Sequence, residues 1–404
     1  MKPRIASLAA LVLIAGLHRA SGSIADPQKL AGADNGFAFK LLKQLAKDQP
    51  AANLFISPYS AATVLQMVGT GAAGQTKTEM EQVLGTTGLS SDAVGAANQA
   101  IAASLNTGNT NVILTTANAI WYRQGTPVKP EFFARNQQFF GSTVAPIDFA
   151  DAHAADRINA WASDQTHGRI SRIADGMIDP VYSRLFLANA VYFKGKWADP
   201  FEVQATKDQP FYLCGGRQKI IPMMTQTKTF TYRRGTGYQA VRLPYQNENL
   251  AMFVFLPDTN SSPEKLLGVM TGDKWQRVTR PGFSEKAGTL VLPKFKLEYS
   301  VELKQPLKAL GMKLAFDMDK ADFSGIAPQL YISASRQKAF VEVKEEGTEA
   351  AAVTAIAMPQ SVGFHMPPPK PFQMIVDRPF LYLIEDSQTG TILFMGLVFD
   401  PGTS

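Results

Sequence analysis

Along residues 36–46 the apolar positions Phe37, Phe39, Leu41, Leu42 and Leu45 cluster with the spacing of one helix face, which predicts an amphipathic helix. A second helix is predicted from Ser57-Pro58-Tyr59-Ser60, because serine caps an N-terminus and proline suits the first turn. Residues 78–84 read as a short helix closed by Gly85, and the alanine-rich run Ala93–Leu105 as another. Strand patterns begin at Val112–Tyr122 and return at Leu185–Phe193, a run apolar enough to suit a strand buried on both faces. Thr229–Tyr232, Tyr238–Pro244 and Leu250–Leu256 follow as short strands separated by turn residues. Leu290–Leu297 and Lys338–Lys344 add two more strands, and Val301–Gly311 reads as a helix stopped by Gly311. Phe380–Glu385 and Ile392–Phe399 are closing strands joined by a turn at 386–390. Helices dominate the first half and strands the second, which predicts an α+β fold; no linker or fixed-period repeat divides it.

The 404 residues are 45% hydrophobic and 18% charged, enough for a large core and a poor fit to disorder. Lys2 and Arg4, the apolar run from Ile5 to Leu17 and the small residues Ala20-Ser21-Gly22 predict a secretory signal over residues 1–22, with a single domain over 23–404. Its removal takes Lys2, Arg4 and Arg19, half of the net charge of +6, so no nucleic-acid partner is expected. No later run approaches the ~18 apolar residues that a membrane helix needs. The expected location is extracellular or periplasmic.

Candidate chemistry is sparse. One cysteine, Cys214, excludes an intrachain disulfide and a cysteine-based metal cluster. None of His18, His153, His167 and His365 neighbours a nucleophile motif, and Gly-x-Ser-x-Gly and His-Glu-x-x-His are absent. Gly69-Thr70-Gly71-Ala72-Ala73-Gly74 superficially matches a dinucleotide loop, but it follows a helix pattern and reads as a helix end and turn. No enzyme, cofactor or metal site is expected. The unusual segment is Glu345-Glu346-Gly347-Thr348-Glu349-Ala350-Ala351-Ala352, which leads through Val353–Met358 to the polyproline-like Met366–Pro371. Local propensity alone favours a helix there, with Thr348-Glu349 near its start.

At this segment the chain resembles a serpin, in particular a secreted member of bacterial type, and the resemblance runs over nearly all of residues 34–401. It rests on Asn53–Ser60, Leu187–Trp197, Pro222-Met223-Met224, Leu256-Pro257, Leu292–Phe295, the stretch 345–352, Asp377–Phe380 and Phe394-Met395-Gly396, in the family's order. The resemblance implies a single α+β domain with three β-sheets, surrounding helices and an exposed reactive loop at about 345–371. It implies suicide inhibition of a serine protease: the protease cuts the loop, the acyl-enzyme is trapped, and the cut loop enters the central sheet. Glu345, Glu346, Gly347, Thr348, Glu349, Ala350, Ala351 and Ala352 match the hinge, which is intact here. Ser57, Ser60 and Asn189 match a polar cluster beneath the sheet, where Gln337 stands in place of the family's histidine. Trp197 matches the tryptophan where the loop meets the sheet.

On a strand, Thr348, Ala350, Ala352, Thr354, Ile356 and Met358 share one uncharged face, whereas Glu349 lies on the other. By the family's usual spacing from the hinge glycine, the resemblance implies a reactive bond at Ser361-Val362, the preferred reading; counting back from the C-terminal side gives a later bond, with Phe364-His365 as the main rival. No Lys or Arg lies between Thr348 and Pro369, so the expected target is elastase-, subtilisin- or chymotrypsin-like and not trypsin-like. Residues 84–107 carry no Lys or Arg, so no heparin partner is expected through that helix, and the protein is expected to be a monomer. Two alternatives stand beside inhibition. One is a non-inhibitory binding or storage serpin, suggested by the long proline-rich loop end. The other is an exported enzyme or solute-binding protein, which would need a ligand cluster that the chain lacks.

Overall fold

The computed structural model describes residues 26–106, 111–247, 249–348 and 370–402. Helix α1 (Pro27–Asp48) is capped by Asp26, whose carboxylate accepts from the Lys29 N–H at 2.9 Å, and it buries Phe37, Leu41, Leu42 and Leu45. The predicted helix is therefore real but starts nine residues earlier. Strand β1 (Leu54–Ile56) leads into α2 (Pro58–Gly69), capped by Ser57 as expected and buried almost all round. Helix α3 (Gly74–Leu84) ends on Gly85 at φ 73°, the left-handed cap that glycine adopts without strain. Helix α4 (Ser91–Leu105) follows. Residues 69–74 thus end one helix and begin the next.

The chain then runs through β2 (Val112–Arg123), α5 (Pro130–Phe140), β3 (Thr143–Ile147), α6 (Ala154–Gln165), β4 (Leu185–Lys196), β5 (Lys207–Tyr212), β6 (Gln218–Gly235), β7 (Tyr238–Pro244) and β8 (Leu250–Pro257). After α7 (Pro263–Val269) and the single turn α8 (Gly272–Lys274) come β9 (Ser284–Pro293), β10 (Phe295–Glu302), α9 (Lys304–Leu310), β11 (Ile332–Val343) and β12 (Gly347–Thr348). Strands β13 (Phe372–Ile375), β14 (Phe380–Asp386) and β15 (Thr391–Val398) complete it.

Three expectations need correction. Leu290–Leu297 is not one strand. The Lys294 N–H turns aside to the Pro222 carbonyl at 3.0 Å, and β9 and β10 on either side enter different sheets. Val301–Gly311 is helical only from Lys304, because β10 continues through Glu302. Thr229–Tyr232 is the interior of an 18-residue strand.

A six-stranded sheet has the order β10-β11-β4-β2-β3, with β12 added on β4. A nine-stranded network has the order β1-β15-β14-β8-β7-β6-β9-β13, with β5 on β6. The long β6 joins two sheets: residues 231–235 pair with β7, whereas 218–223 pair with β5 and 223–232 with β9. The three expected sheets are present in this form. Strand β4 is buried on both faces. Leu185, Leu187, Val191 and Phe193 pack into the main core, and Phe186, Ala188 and Ala190 pack under α6.

Candidate functional site

The centre of the six-stranded sheet is a parallel seam between β11 and β4, with Gln337 beside Asn189. An alternating apolar pattern would be the low-cost way to fill it. Instead a buried amide network crosses it. Gln337 accepts from the Ser57 N–H at 2.9 Å and donates to the Ser57 carbonyl at 2.9 Å and to the Asn189 side-chain oxygen. Asn189 donates to Ser60 Oγ and to Asn118 Oδ1, while Ser57 Oγ donates to the Leu393 carbonyl at 2.7 Å. All four predicted residues therefore meet at one place, where α2 begins beneath the seam. Glutamine fills this position with both a donor and an acceptor and has no proton to lose near neutral pH. Buried polar groups of this kind favour one arrangement and become costly when a partner leaves.

Above the seam, β11 turns back on itself. Lys344 and Gly347 exchange backbone hydrogen bonds of 2.8 and 3.1 Å, and Gly347 and Thr348 pair antiparallel with Lys196 and Gly195 of β4. Gly347 has φ +135°, and a Cβ there would lie 2.2 Å from the Gly195 carbonyl oxygen, so the turn requires glycine twice over. Trp197 is buried and stacks on Tyr245, ring centroids 4.5 Å apart, and its indole N–H donates to the Lys344 carbonyl at 3.0 Å. Glu345 ties the turn to the sheet beside it. Lys294 Nζ lies 2.9 Å from one carboxylate oxygen, and Thr206 donates to the other at 2.8 Å. Burial opposes ionisation of Glu345, but these hydrogen bonds and one from its own backbone outweigh it and hold the carboxyl below its usual range. The backbone carbonyls of Glu345 and Glu346 accept from the Phe201 and Trp197 N–H groups.

The family model for serpins, described as serine protease inhibitors, matches residues 32–401. The chain belongs to the serpin family. Bovine (Bos taurus) leukocyte elastase inhibitor is 37% identical over 387 residues, covering 93% of this chain and 100% of its own length. The crystal structure of native protease nexin-1 with heparin superposes with a TM-score of 0.82 at 31% identity, covering 93% of this chain and 99% of that one. That of human thyroxine-binding globulin with its ligand gives 0.82 at 26%, covering 94% and 100%. The relatives and neighbours thus include one named an elastase inhibitor and one named a thyroxine-binding globulin.

Within this serpin, Glu345, Glu346, Gly347 and Thr348 lie in a turn against the end of β4. Gly347 and Thr348 pair as a short strand, and the segment where local propensity favours a helix lies past them, outside the described residues. Glu349, Ala350, Ala351, Ala352, Ser361, Val362, Phe364 and His365 lie outside the described residues. Sequence reasoning missed Asn118, Thr206 and the Lys294–Glu345 ion pair. Asn118 had a signal, since it interrupts the apolar strand Ala117–Trp121. Thr206 and Lys294 had none, because only tertiary folding brings them to position 345.

Proposed function

We propose that the protein inhibits serine proteases by taking its cut reactive loop into the central sheet between β11 and β4. The observation that carries this reading is β12: two hinge residues already pair with the end of β4, whereas the seam below is closed from Phe340/Tyr192 downward. Continued in the same register, positions 350, 352, 354, 356 and 358 fall opposite Phe193, Val191, Asn189, Leu187 and Leu185. Those β4 side chains face the main core, so the uncharged face of the loop is the one that enters it. Position 354, the threonine on that face, arrives between Asn189 and Gln337, where a hydroxyl finds polar partners. Glu349 arrives opposite Lys194 on the other face, where it stays solvated and gains an opposite charge.

The register also bears on the reactive bond. Strand β4 ends at Leu185, opposite Met358, so Ser361 lies three residues past the foot of the strand and Phe364 lies six. At ~3.3 Å per residue the tethers are about 10 and 20 Å. The shorter one presses an acylated protease harder against the protein, which favours Ser361-Val362. The absence of Lys and Arg between Thr348 and Pro369 and the relatives named as elastase inhibitors support an elastase-like target, with subtilisin- and chymotrypsin-like enzymes next. Heparin is not expected through α4, which carries Asp92 and no lysine or arginine. Secretion after removal of residues 1–22 and a monomeric state complete the reading.

The test is incubation with a panel of elastase-, subtilisin-, chymotrypsin- and trypsin-like proteases, followed by denaturing gels. The reading expects a complex that survives denaturation with an enzyme other than the trypsin-like one, and a released peptide starting at Val362. Cleavage by the whole panel without a complex supports the non-inhibitory reading, for which thyroxine-binding globulin is the structural precedent.

A further inference from the structure

Beside the hinge, a cleft of about 290 Å³ opens at the end of β10 and β11, bounded by Ile221 and Pro222 of β6 and by Pro401 and Gly402. It lies just below the usual lower size of small-molecule pockets and holds about ten waters. Its floor is apolar, with Phe295 and Val343 buried. Its charged lining is unbalanced: Lys294, Lys296 and Lys344 stand against the single carboxylate Glu342.

The ion pairs are also unevenly shared. Lys296 is Glu342's direct cross-strand partner, yet Glu342 pairs with Lys344 at 2.9 Å. Lys294 spends its charge on Glu345, which is outside the cleft lining. Lys296 is left with the Phe340 ring, whose centroid is 5.6 Å from its ammonium. An exposed lysine in the lining of an apolar cleft matches a ligand with an anionic head and a compact apolar body.

We propose that this cleft binds small aromatic or aliphatic carboxylates and sulfonates, with Lys296 and Lys344 holding the anionic head. Lys294 couples the site to the hinge, because a bound anion and Glu345 compete for the same ammonium. The site exists whether or not the loop inserts, so it is tested without a protease. The probe is naphthalene-1-sulfonate, titrated calorimetrically into the intact protein. Lys296→Gln should weaken binding about tenfold, the loss expected for one charge-assisted contact. Glu345→Gln, which frees Lys294 and can keep the Thr206 contact, should tighten it several-fold. The remote control Lys40→Gln should leave it unchanged. Absence of binding at millimolar probe, or equal affinity in all four proteins, overturns the proposal.

Discussion

Two seams in this serpin are differently built. Between β14 and β15 the strands run antiparallel and every residue is buried. Phe380 and Tyr382 pack against Phe295, and Phe394 stacks on Phe55 at 5.3 Å. Between β11 and β4 the strands run parallel, small residues such as Ala188, Ala190, Ala334 and Ala339 flank the contact, and Gln337 and Asn189 hydrogen-bond across it. The first seam is held by interdigitated side chains that nothing else could replace. The second adds to the backbone pairing common to both an amide network at its centre and one Tyr192–Phe340 ring contact, centroids 6.1 Å apart, at its upper end; an incoming strand can re-form the backbone and amide bonds. In the proposed mechanism this seam parts, and groups whose partners can be exchanged make that easier than aromatic packing that must be torn open.

The comparison is broken most forcefully by cutting the loop. Insertion gives both strands of the second seam a new partner, so calorimetry of loop-cleaved protein should show a midpoint about 10 °C or more above the intact one. At roughly 2 °C per kcal/mol for a large domain, that rise reflects several kcal/mol. Equal midpoints would mean that the seam does not open.

Next in size is Thr348→Arg. Position 348 is the first residue past the hinge glycine and pairs with Gly195; in the proposed insertion it shares the register of positions 350 and 352, which would enter the core, where an unpaired charge is costly. The expected result is a turnover stoichiometry raised about tenfold or more, with cleaved inhibitor replacing complex on gels. One tenfold step in partitioning corresponds to 1.4 kcal/mol. An unchanged stoichiometry would show that this face stays out of the core.

A matched pair sharpens the contrast. Ile384→Ala in β14 should cost about 2–5 kcal/mol of stability and leave inhibition per folded molecule unchanged. Gln337→Ala should cost less, about 1–3 kcal/mol for the Ser57 and Asn189 groups left without it, and should alter the rate of complex formation. Denaturant titration and stopped-flow inhibition separate the two. Equal kinetic effects would remove the special status of the β11–β4 seam.

The smallest effect concerns pH. Asp34 is buried in α1, with Gln66 donating to it at 2.8 Å, and burial pushes its carboxyl up to about 8 against that hydrogen bond. Glu385 at the end of β14 is pushed up to about 7 by burial, opposed mainly by Arg280, whose Nε lies 2.7 Å away. Both folded values lie above the unfolded ones. Their contribution is therefore complete at acid pH and is lost as pH rises through 7 and 8. Asp34→Asn mimics the neutral acid. It should raise the melting midpoint by several degrees more at pH 8.5 than at pH 5, and an equal shift at both would contradict the assignment.

The fold was legible wherever one face of an element is strongly apolar, as in α1, β4, β7 and the β14–β15 pair. It was illegible where the burial decision is tertiary. Helix α6 turns only Ala154, Ile158 and Ala162 inward, too small a stripe to stand out, and α5 buries only Phe132 and Asn136. Lys294 sits inside an apolar run, and nothing local says that the chain changes sheet there. The site divides in the same way. Ser57, Ser60, Asn189, Gln337 and Trp197 were found through family motifs, since no local pattern marks a polar residue that will lie beneath a seam. The hinge was likewise found through the family resemblance, since local propensity alone favours a helix there; its own chemistry adds that Gly347 suits a tight turn and that alternate positions from Thr348 are uncharged.

The central claim is that β11 and β4 part and accept the loop in the register that β12 has begun. A crystal structure of the loop-cleaved protein tests it most directly. The account predicts a new strand over residues 347–358, antiparallel to both neighbours, with Thr354 between Gln337 and Asn189 and Met358 opposite Leu185. A cleaved protein in which Gln337 still pairs directly with Asn189 would contradict it.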